Sequence, residues 1–527
     1  KGARMPSDAS PSRRLRFAVT AVLLLGVLHS IAVTLHRGDL NLDVAYNITA
    51  AETILDMPAS GHGIVDPNPP YIRYLSVVPV LLSRWTGLDI ARSTHVSMLL
   101  FMALTLLPAC RVVRALPEQR RYGIGLAVLA AWSYLNVYLV TSPDYAQREQ
   151  LIVFSQLPYV LLVWVRWQGG RVDRLTAIAV GVLAAFAGLL KPFYMLVPLL
   201  LQAYGWMAFE KRERRARPEF AAFAVVLFAG YLLYVIIPGW LDYPLVWGPL
   251  LWKYYDVFGV SMQAALRFAA ERTDLHLLLI GVLSVSGLSW LVQEDWKRSL
   301  VLALLLTCAM YLLAVVVQAT LWSNHLLPVW IAGMAALIFA PYSMLSVFRA
   351  RVAPGLLLIP VVLVLLQFGR GGNIPLLMLK DPFPVTETAL SRAITAHSDP
   401  DDSVVLLSLV VPHGFPSITY AGRPSASRYL CGFPVYMAYG NLDHTDIGGE
   451  RLRLANRYYR ELLEDIRRNR PVLLLVDRGT EPNTAEGFSM EGFLGWRGFF
   501  SGEGRMYEMV ERVGRVDVYR IMADYTD

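Results

Sequence analysis

Two carboxylates lie one helical turn apart in HRGDLNLDVAYNITAAETIL, directly after an apolar run. Carboxylates can act as general acids or bases and can bind cations, and they also cap the first turn of helices. If a helix has already begun there, Asp39 and Asp43 share one of its faces. The alternative is that Asp39 or Asn41 caps the helix and the remaining side chains face solvent. Asp66 follows in GIVDPNPPYIRYL, a proline-rich turn that cannot be helical throughout.

A second group of ionisable residues lies in TSPDYAQREQL, residues 141–151, between two apolar runs. Ser142 suits an N-cap and Pro143 the first helical position, which would place Asp144 in the first turn of a helix. Capping accounts for Asp144, but it does not account for Arg148 and Glu149. Ionisable residues at a membrane boundary usually face a cavity or a partner.

Two further polar residues interrupt or begin apolar segments. Lys191 stands in GLLKPFYMLVP, and His325 stands in WSNHLLPVW. Snorkelling to the interface would explain Lys191, and His325 could be a capping residue. Together with Arg148, however, these residues give three cationic or protonatable side chains on three separate segments. If all three reach one membrane face, they would suit a phosphate group attached to a lipid.

The elements that must position these residues are membrane spans. The chain has 527 residues, of which 55% are hydrophobic and 17% charged, and its mean hydropathy is +0.44. This composition is that of an integral membrane protein. Runs of about 20 apolar residues cross a bilayer. Eleven such spans are predicted: 17–35, 94–114, 122–141, 149–166, 175–190, 192–209, 220–237, 275–293, 299–318, 326–347 and 355–369. The pair around Lys191 and Pro192 is alternatively one broken helix.

The distribution of basic residues predicts the orientation of these spans. Lys and Arg fall on alternate loops, and basic loops are retained in the cytoplasm. The N-terminus is then cytoplasmic, and the acidic loops lie outside. This alternation requires that 71–82 is an interfacial or re-entrant helix and not a span. The net charge of +7 follows from the basic cytoplasmic loops and indicates no nucleic-acid partner.

Three regions follow from this topology: a cytoplasmic tail at 1–16, a transmembrane domain at 17–369 with exterior loops 36–93 and 238–274, and an exterior domain at 370–527. Aromatic residues of the loop 238–274 suit the membrane interface, or alternatively a lipid or sugar site. In the exterior domain, 403–410 and 471–477 are predicted strands, 451–470 is an amphipathic helix, and a hairpin surrounds Gly514. This is a small α/β domain. It lacks a Gly-rich phosphate-binding loop and a His/Cys cluster of metal-ligand spacing, which favours support or acceptor binding over catalysis.

The chain resembles the GT-C superfamily in five features. These are an early acidic pair in the first exterior loop, DPNPPYIRYL in the second half of that loop, a short acidic second loop, many spans and an exterior C-terminal domain. The likeness is to the bacterial dolichyl-phosphate-mannose transferase and aminoarabinose-transferase type. It covers residues 15–370 as architecture, and the C-terminal domain matches no family. The resemblance implies a GT-C-like α-helical polytopic protein of the bacterial inner membrane with about 11 spans, acting in polysaccharide biosynthesis of the cell envelope on the periplasmic side.

The resemblance also implies an activity and its residues. Such enzymes move a sugar from a polyprenyl-phosphate donor to a glycan or lipid-linked acceptor, with inversion. An acidic residue of the first exterior loop acts as general base, for which Asp43 is the first candidate and Asp39 the second. The implied substrate-binding residues comprise the phosphate ligands Arg148, Lys191 and His325, the acceptor- or sugar-orienting Asp144 and Glu149, and Asp66. Some members of the superfamily need a divalent cation, such as Mg or Mn, but the Asp-x-x-x-Asp spacing departs from Asp-x-Asp and leaves both the metal and the choice of base open.

Three other functions fit the span pattern. A polymerase or ligase for lipid-linked glycans would favour a long exterior loop rich in Arg, and the loop 238–274 has only Arg267 and Arg272. A lipid or sugar transporter would favour similar halves and charges at the midplane, which the sequence does not show. A non-catalytic assembly scaffold is the third.

Overall fold

A computed structural model of the chain describes residues 13–57, 63–140, 144–209, 217–237, 239–254, 267, 273–292, 295–318, 323–344, 388–440, 448–481, 484 and 487–525. It is mainly helical in the first two thirds of the chain. The helices there are α1 (Arg13–His36), α2 (Leu42–Asp56), α3 (Tyr71–Leu75), α4 (Val77–Thr86), α5 (Ile90–Arg114), α6 (Glu118–Val140), α7 (Arg148–Trp167), α8 (Arg174–Leu190), α9 (Leu196–Ala208), α10 (Pro218–Ile236), α11 (Gly248–Tyr254), α12 (Thr273–Val292), α13 (Leu300–Gln318) and α14 (Ser323–Met344).

Ten of the eleven predicted spans coincide with helices, namely α1, α5 to α10 and α12 to α14. The eleventh, at 355–369, lies outside the described residues. By length and composition, α5, α7, α10 and α13 are long and apolar enough to cross a membrane. The predicted polytopic helical architecture is therefore confirmed for the described part of the chain.

The segment 71–82 forms no single long helix. It is divided at Ser76 between α3, of 5 residues, and α4, of 10 residues. Neither helix is long enough to cross a bilayer, in agreement with the prediction. The side chains of Val78 and Trp85 on α4 are exposed and present an apolar surface.

Helix α7 is the centre of the helical bundle. Nearly all of its side chains are buried, and it packs against α5, α8, α9, α13 and α14. A helix that is buried on all sides and mainly apolar belongs in the interior of a bundle. The polar residues at its first turn, Arg148 and Glu149, are consequently held at the middle of one end of the bundle.

The C-terminal domain contains a four-stranded mixed sheet. Its elements are α15 (Ala389–His397), β1 (Val404–Leu407), α16 (Ser417–Ala421), α17 (Phe433–Tyr439), α18 (Gly449–Asn469), β2 (Leu473–Asp477), α19 (Met490–Trp496), β3 (Tyr507–Val513) and β4 (Val516–Ile521). The strand order is β1-β2-β4-β3, with β1 and β2 parallel and the other pairs antiparallel. The predicted strands, helix and hairpin are all present, and Gly514 takes the left-handed backbone conformation (φ 60°) at the hairpin turn.

Helix α2 is embedded in the C-terminal domain. The hydroxyl of Thr419 on α16 donates to the carbonyl of Ala45 at 2.9 Å and lies 2.9 Å from the hydroxyl of Thr49. Further along, the N–H of Ser425 donates to the hydroxyl of Thr53 at 3.0 Å. Apolar residues of α2 also belong to the same hydrophobic core as the sheet. The acidic helix of the first loop is thus fixed from the side of the C-terminal domain.

Aromatic residues of the loop 238–274 contribute to the same packing. Trp247 is buried, with its ring centroid 5.8 Å from that of Phe433. Trp240 is buried against Tyr71 and Tyr74. Both tryptophans therefore make protein contacts and do not lie at an exposed membrane interface, which corrects that expectation for these two residues.

Candidate active site

A cavity of about 640 Å³ lies where the end of the helical bundle meets the C-terminal domain. One wall comes from α2, the turn before α3, and the first turns of α7 and α14. A second part of the lining comes from residues 409–412, α17 and Glu481 of the C-terminal domain. Towards α4, α5 and α8 the lining is mostly apolar. Its polar lining includes Asp43, Asp144, Arg148, Glu149 and His325.

Asp43 faces this cavity from the first turn of α2. The helix begins at Leu42 because the side chain of Asn41 caps it, accepting the N–H of Asp43 at 2.8 Å. The carboxylate of Asp43 makes no hydrogen bond or ion pair with another described residue. Burial raises the pKa of Asp43 to about 6, a tendency that Arg148 opposes and Glu149 reinforces.

Asp39 lies elsewhere. Asp39 precedes the cap, and α2 starts only after Asn41, so the condition for a shared helix face is not met and the alternative of a cap at Asn41 applies. The side chain of Asp39 is 45% exposed and pairs with the guanidinium of Arg37 at 2.9 Å. It is not among the residues that line the cavity.

Glu149 joins Arg148, which lines the cavity, to Lys191, which is not among the lining residues. Its Oε1 lies 2.6 Å from Lys191 Nζ and 3.3 Å from Arg148 Nη2, and its side chain is completely buried. His325, 2% exposed in the first turn of α14, lines the same cavity and also acts electrostatically on Glu149. The structure thus brings Arg148, Lys191 and His325 together, and it places a carboxylate between the first two. Sequence reasoning missed this ion-pair role of Glu149.

Lys191 reaches Glu149 because the helix is interrupted at this position. Helix α8 ends at Leu190, and Pro192 begins a short 3₁₀ turn before α9. The ammonium group also donates to Gln318 Oε1 of α13 at 3.0 Å. Lys191 is therefore a buried, doubly held cation and does not snorkel to the surface.

Asp144 lines the cavity but not in the predicted way. Helix α7 starts at Arg148 with Gln147 as its N-cap residue, and 144–146 form a turn in which Ala146 has a φ of 64°. A left-handed residue cannot continue a right-handed helix, so Asp144 does not occupy the first helical turn. The predicted cap, Ser142, and Pro143 lie outside the described residues.

Asp66 is buried and does not line the cavity itself, but it binds Asn68, which does. Its Oδ1 accepts the N–H of Asn68 at 2.6 Å, and Asn68 Oδ1 accepts a hydrogen bond from Arg148. Burial raises the pKa of Asp66, and Arg73 opposes that shift. Asn68, which lines the cavity, was not predicted from the sequence. The signal for it was the order Asp-Pro-Asn, since an Asp carboxylate often binds the N–H two residues later in a turn.

A potential cation site lies in the C-terminal domain. Ligand atoms of His413, Asp477 and Glu481 lie within 4.8 Å of one another, and no other such group of three occurs among the described residues. Arg515 already pairs with Asp477 at 2.5 Å and with Glu481 at 2.6 Å, so its guanidinium supplies the positive charge there. Asp43, Asp144 and Glu149 do not form such a group. The acidic group that could hold the divalent cation left open by the sequence is thus His413, Asp477 and Glu481, of which Glu481 lines the cavity.

No family model and no curated protein sequence matches this chain. Among solved structures, the chain is similar to ArnT from Cupriavidus metallidurans bound to undecaprenyl phosphate, with 13% identity and a TM-score of 0.51 over 97% of this chain and 99% of that one. It is similar to the same protein in the apo state, with 14% identity and a TM-score of 0.52 over 96% and 99% of the two chains. An Archaeoglobus fulgidus oligosaccharyltransferase in complex with Zn and sulfate aligns with 14% identity and a TM-score of 0.46 over 86% and 68%. The likeness to the two ArnT structures extends over almost the whole chain and confirms the predicted fold, a polytopic helical domain followed by a C-terminal α/β domain.

Proposed function

We propose that the protein is an inverting glycosyltransferase that moves a hexose or pentose from a polyprenyl-phosphate donor to a glycan or lipid-linked acceptor. The observation that carries the proposal is the lining of one cavity, which includes the unpaired carboxylate of Asp43 and the guanidinium of Arg148, with Lys191 joined to that lining through Glu149. The fold is similar to that of ArnT, which has been solved with undecaprenyl phosphate bound. The proposed reaction requires a cationic group that binds the lipid phosphate and a side chain that accepts the proton of the attacking hydroxyl.

The charge of the cationic group suits the donor. Arg148 and Lys191 carry two positive charges and Glu149 one negative charge, so the three together carry a net charge of +1. A polyprenyl-phosphoryl sugar is a phosphodiester with one negative charge, and it gains a second as the polyprenyl phosphate leaves. Fixed cations near the leaving oxygen stabilise that developing charge more than they stabilise the ground state.

Asp43 supplies the base. The acceptor hydroxyl gives its proton to the carboxylate, its oxygen forms a bond to the anomeric carbon, and the bond from that carbon to the phosphate oxygen breaks with its electron pair on the phosphate. A pKa of about 6 leaves Asp43 mostly ionised at neutral pH and close to the working pH, where general-base catalysis is efficient. Such a base contributes roughly 10²–10⁴ in rate.

The remaining site residues have supporting roles in this proposal. Glu149 holds Arg148 and Lys191 in place, and Asp66 holds the turn that presents Asn68 to Arg148. His325 and Asp144 contact the donor from the cavity wall. Asp39, the second candidate base, is engaged by Arg37 outside the cavity, which favours Asp43.

The test is release of undecaprenyl phosphate by the purified full-length protein in lipid nanodiscs. The donors are synthetic undecaprenyl-phosphoryl mannose, glucose and arabinose, and the acceptors are cell-envelope glycan and glycolipid fractions. We expect one donor to yield undecaprenyl phosphate and a glycosylated acceptor, and Asp43→Asn to abolish both products. Translocation of a lipid or sugar without bond cleavage, or no cleavage with any donor, would contradict the proposal.

The proposed location is the extracytoplasmic face of the bacterial inner membrane, with the N-terminus in the cytoplasm. Its test is labelling of an Arg453→Cys variant, since Arg453 is exposed on α18 of the C-terminal domain. A membrane-impermeant maleimide should label this cysteine in intact spheroplasts. Labelling only after lysis would reverse the orientation.

A further inference from the structure

The cavity lining includes hydrogen-bond acceptors, on α2 and at Glu481, that no group among the described residues satisfies. From these groups we infer that the acceptor substrate is a saccharide, whose hydroxyls are held jointly by Asn47 of α2 and Glu481 of the C-terminal domain. This inference rests on the proposed function and adds to it the chemical class and the location of the acceptor.

Asn47 lies one helical turn after Asp43 and on the same face of α2. Its side chain is 8% exposed, it lines the cavity, and its Nδ2 donates to the carbonyl oxygen of Asp43 at 2.7 Å. Because a carbonyl only accepts, that contact fixes which end of the amide is nitrogen. The other end, Oδ1, is buried and has no hydrogen-bond partner among the described residues. A buried amide oxygen without a partner costs free energy until a ligand donates to it.

Glu481 of the C-terminal domain lines the same cavity as Asn47. Both hydrogen bonds to its carboxylate from described residues fall on Oε1, from His413 Nε2 at 2.8 Å and from Arg515 Nη2 at 2.6 Å. The second oxygen, Oε2, has no partner among the described residues. Although burial alone would raise the pKa of Glu481, the hydrogen bond and charge of His413 and the charge of Arg515 lower it, so the group remains an acceptor at neutral pH.

The chemistry of these groups selects the ligand. The carboxylate of Asp43, the amide oxygen of Asn47 and the second oxygen of Glu481 all accept hydrogen bonds, so their ligand must supply several donors. Hydroxyl groups of a sugar ring meet this requirement, whereas a phosphate or carboxylate would be repelled. Phe433 and Tyr436 line the same wall, and aromatic rings suit the apolar faces of a sugar.

The position of these groups selects the acceptor over the donor sugar. In an inverting reaction the attacking and leaving oxygens lie on opposite sides of the anomeric carbon. The leaving phosphate belongs with Arg148 and Lys191, so the attacking hydroxyl approaches from the other side, where Asp43 receives its proton. Asn47 continues that face of α2, and Glu481 closes it from the C-terminal domain.

The experiment compares three binding measurements on the full-length protein in nanodiscs. The probes are undecaprenyl phosphate alone, the three undecaprenyl-phosphoryl sugars, and methyl glycosides of glucose, galactose, mannose and arabinose added to protein saturated with undecaprenyl phosphate. Glycoside binding is followed by saturation-transfer NMR. The variants are Asn47→Leu, which removes the oxygen, and Glu481→Gln, whose amide places a donor where Oε2 accepted. His413→Gln is the matched control, because it disturbs the same Glu481 contact from outside the cavity lining.

We expect at least one methyl glycoside to bind the wild-type protein and each cavity variant to weaken it about 10-fold. Undecaprenyl phosphate and the sugar-loaded donors should bind both variants as they bind the wild type, which also shows that the variants fold. His413→Gln should retain glycoside binding.

Three results would overturn the inference. They are no glycoside binding to the wild-type protein, equal loss in His413→Gln, and loss of binding to the sugar-loaded donor, since the last would assign the two residues to the donor sugar. Failure of the proposed function is a separate result, because undecaprenyl phosphate would then not bind the wild-type protein at all.

Discussion

Replacing Asp43 by Asn separates catalysis from stability in this protein. The two side chains are nearly equal in size, so the cap at Asn41 and the packing of α2 are preserved. The change removes the proton acceptor and also removes a charge that burial disfavours. We therefore expect Asp43→Asn to lose turnover and to gain stability.

The magnitudes follow from the raised pKa. Burial moves the pKa of Asp43 from 3.8 to about 6 in the folded protein. Each pH unit of that difference corresponds to about 1.4 kcal/mol, so the ionised carboxylate lowers the free energy of unfolding by at most about 3 kcal/mol above pH 6. Because the pKa of this acid is raised by folding, the contribution of Asp43 to the free energy of unfolding is fully present below pH 3.8, where the carboxyl is protonated. It is lost as the pH rises from 3.8 to about 6. For turnover, loss of a general base predicts a decrease of roughly 10²–10⁴.

The assay is turnover and thermal unfolding of wild type and variant at pH values from 4.5 to 8. Wild-type turnover should fall as the pH drops below about 6, because Asp43 becomes protonated. The variant should show little turnover at any pH and a higher Tm than the wild type at pH 7.5. Asp39→Asn makes the same chemical change four positions away, on a half-exposed carboxylate outside the cavity, and should retain turnover.

Wild-type turnover in Asp43→Asn would refute the assignment of the base. So would an active Asp43→Asn combined with an inactive Asp39→Asn, which would transfer the role to the second carboxylate. An unchanged or lower Tm at pH 7.5 would show that ionised Asp43 is not destabilising, and the argument from burial would then be wrong.

Three further predictions concern the surroundings of the site. Lys191→Met leaves the buried carboxylate of Glu149 paired only with Arg148, at 3.3 Å, and should destabilise the protein by about 3–5 kcal/mol. The double variant with Glu149→Gln should recover the Tm but not the affinity for undecaprenyl phosphate. Recovery of both would contradict a phosphate-binding role for Lys191. Asn68→Ala removes a hydrogen-bond partner of Arg148 and should raise the KM for the donor about 3- to 10-fold with little change in Tm, which donor titrations would measure. Burial raises the pKa of Glu52 from 4.5 to about 8, so ionisation of this carboxyl lowers the free energy of unfolding as the pH rises from 4.5 to 8. Glu52→Gln should therefore raise the Tm at pH 8 and leave turnover unchanged. An equal Tm in both proteins at pH 8 would contradict this.

The helices were predictable because their cause is local. A run of about 20 apolar residues has the length of a bilayer wherever it stands in the chain, and ten of the eleven predicted runs coincide with helices. The same holds for the break at Pro192, which removes a backbone donor, and for the cap at Asn41, which was one of two candidates. The error at Asp144 arose because Ser142 and Pro143 gave a plausible local helix start. The conformation of Ala146 instead delays the helix to Arg148.

The sequence by itself determined the helical membrane architecture, the strands of the C-terminal domain and the segments that carry the polar site residues. Only the tertiary structure decided which carboxylate faces the cavity, that Glu149 lies between two cations, and that Asn47, Asn68 and Glu481 belong to the site. Arg148 and Asn68, for instance, are 80 positions apart in the chain. The reason is physical: chain-local properties such as apolar length and capping act within one or two turns, whereas burial, ion pairing and the pKa of Asp43 depend on groups that only packing brings together.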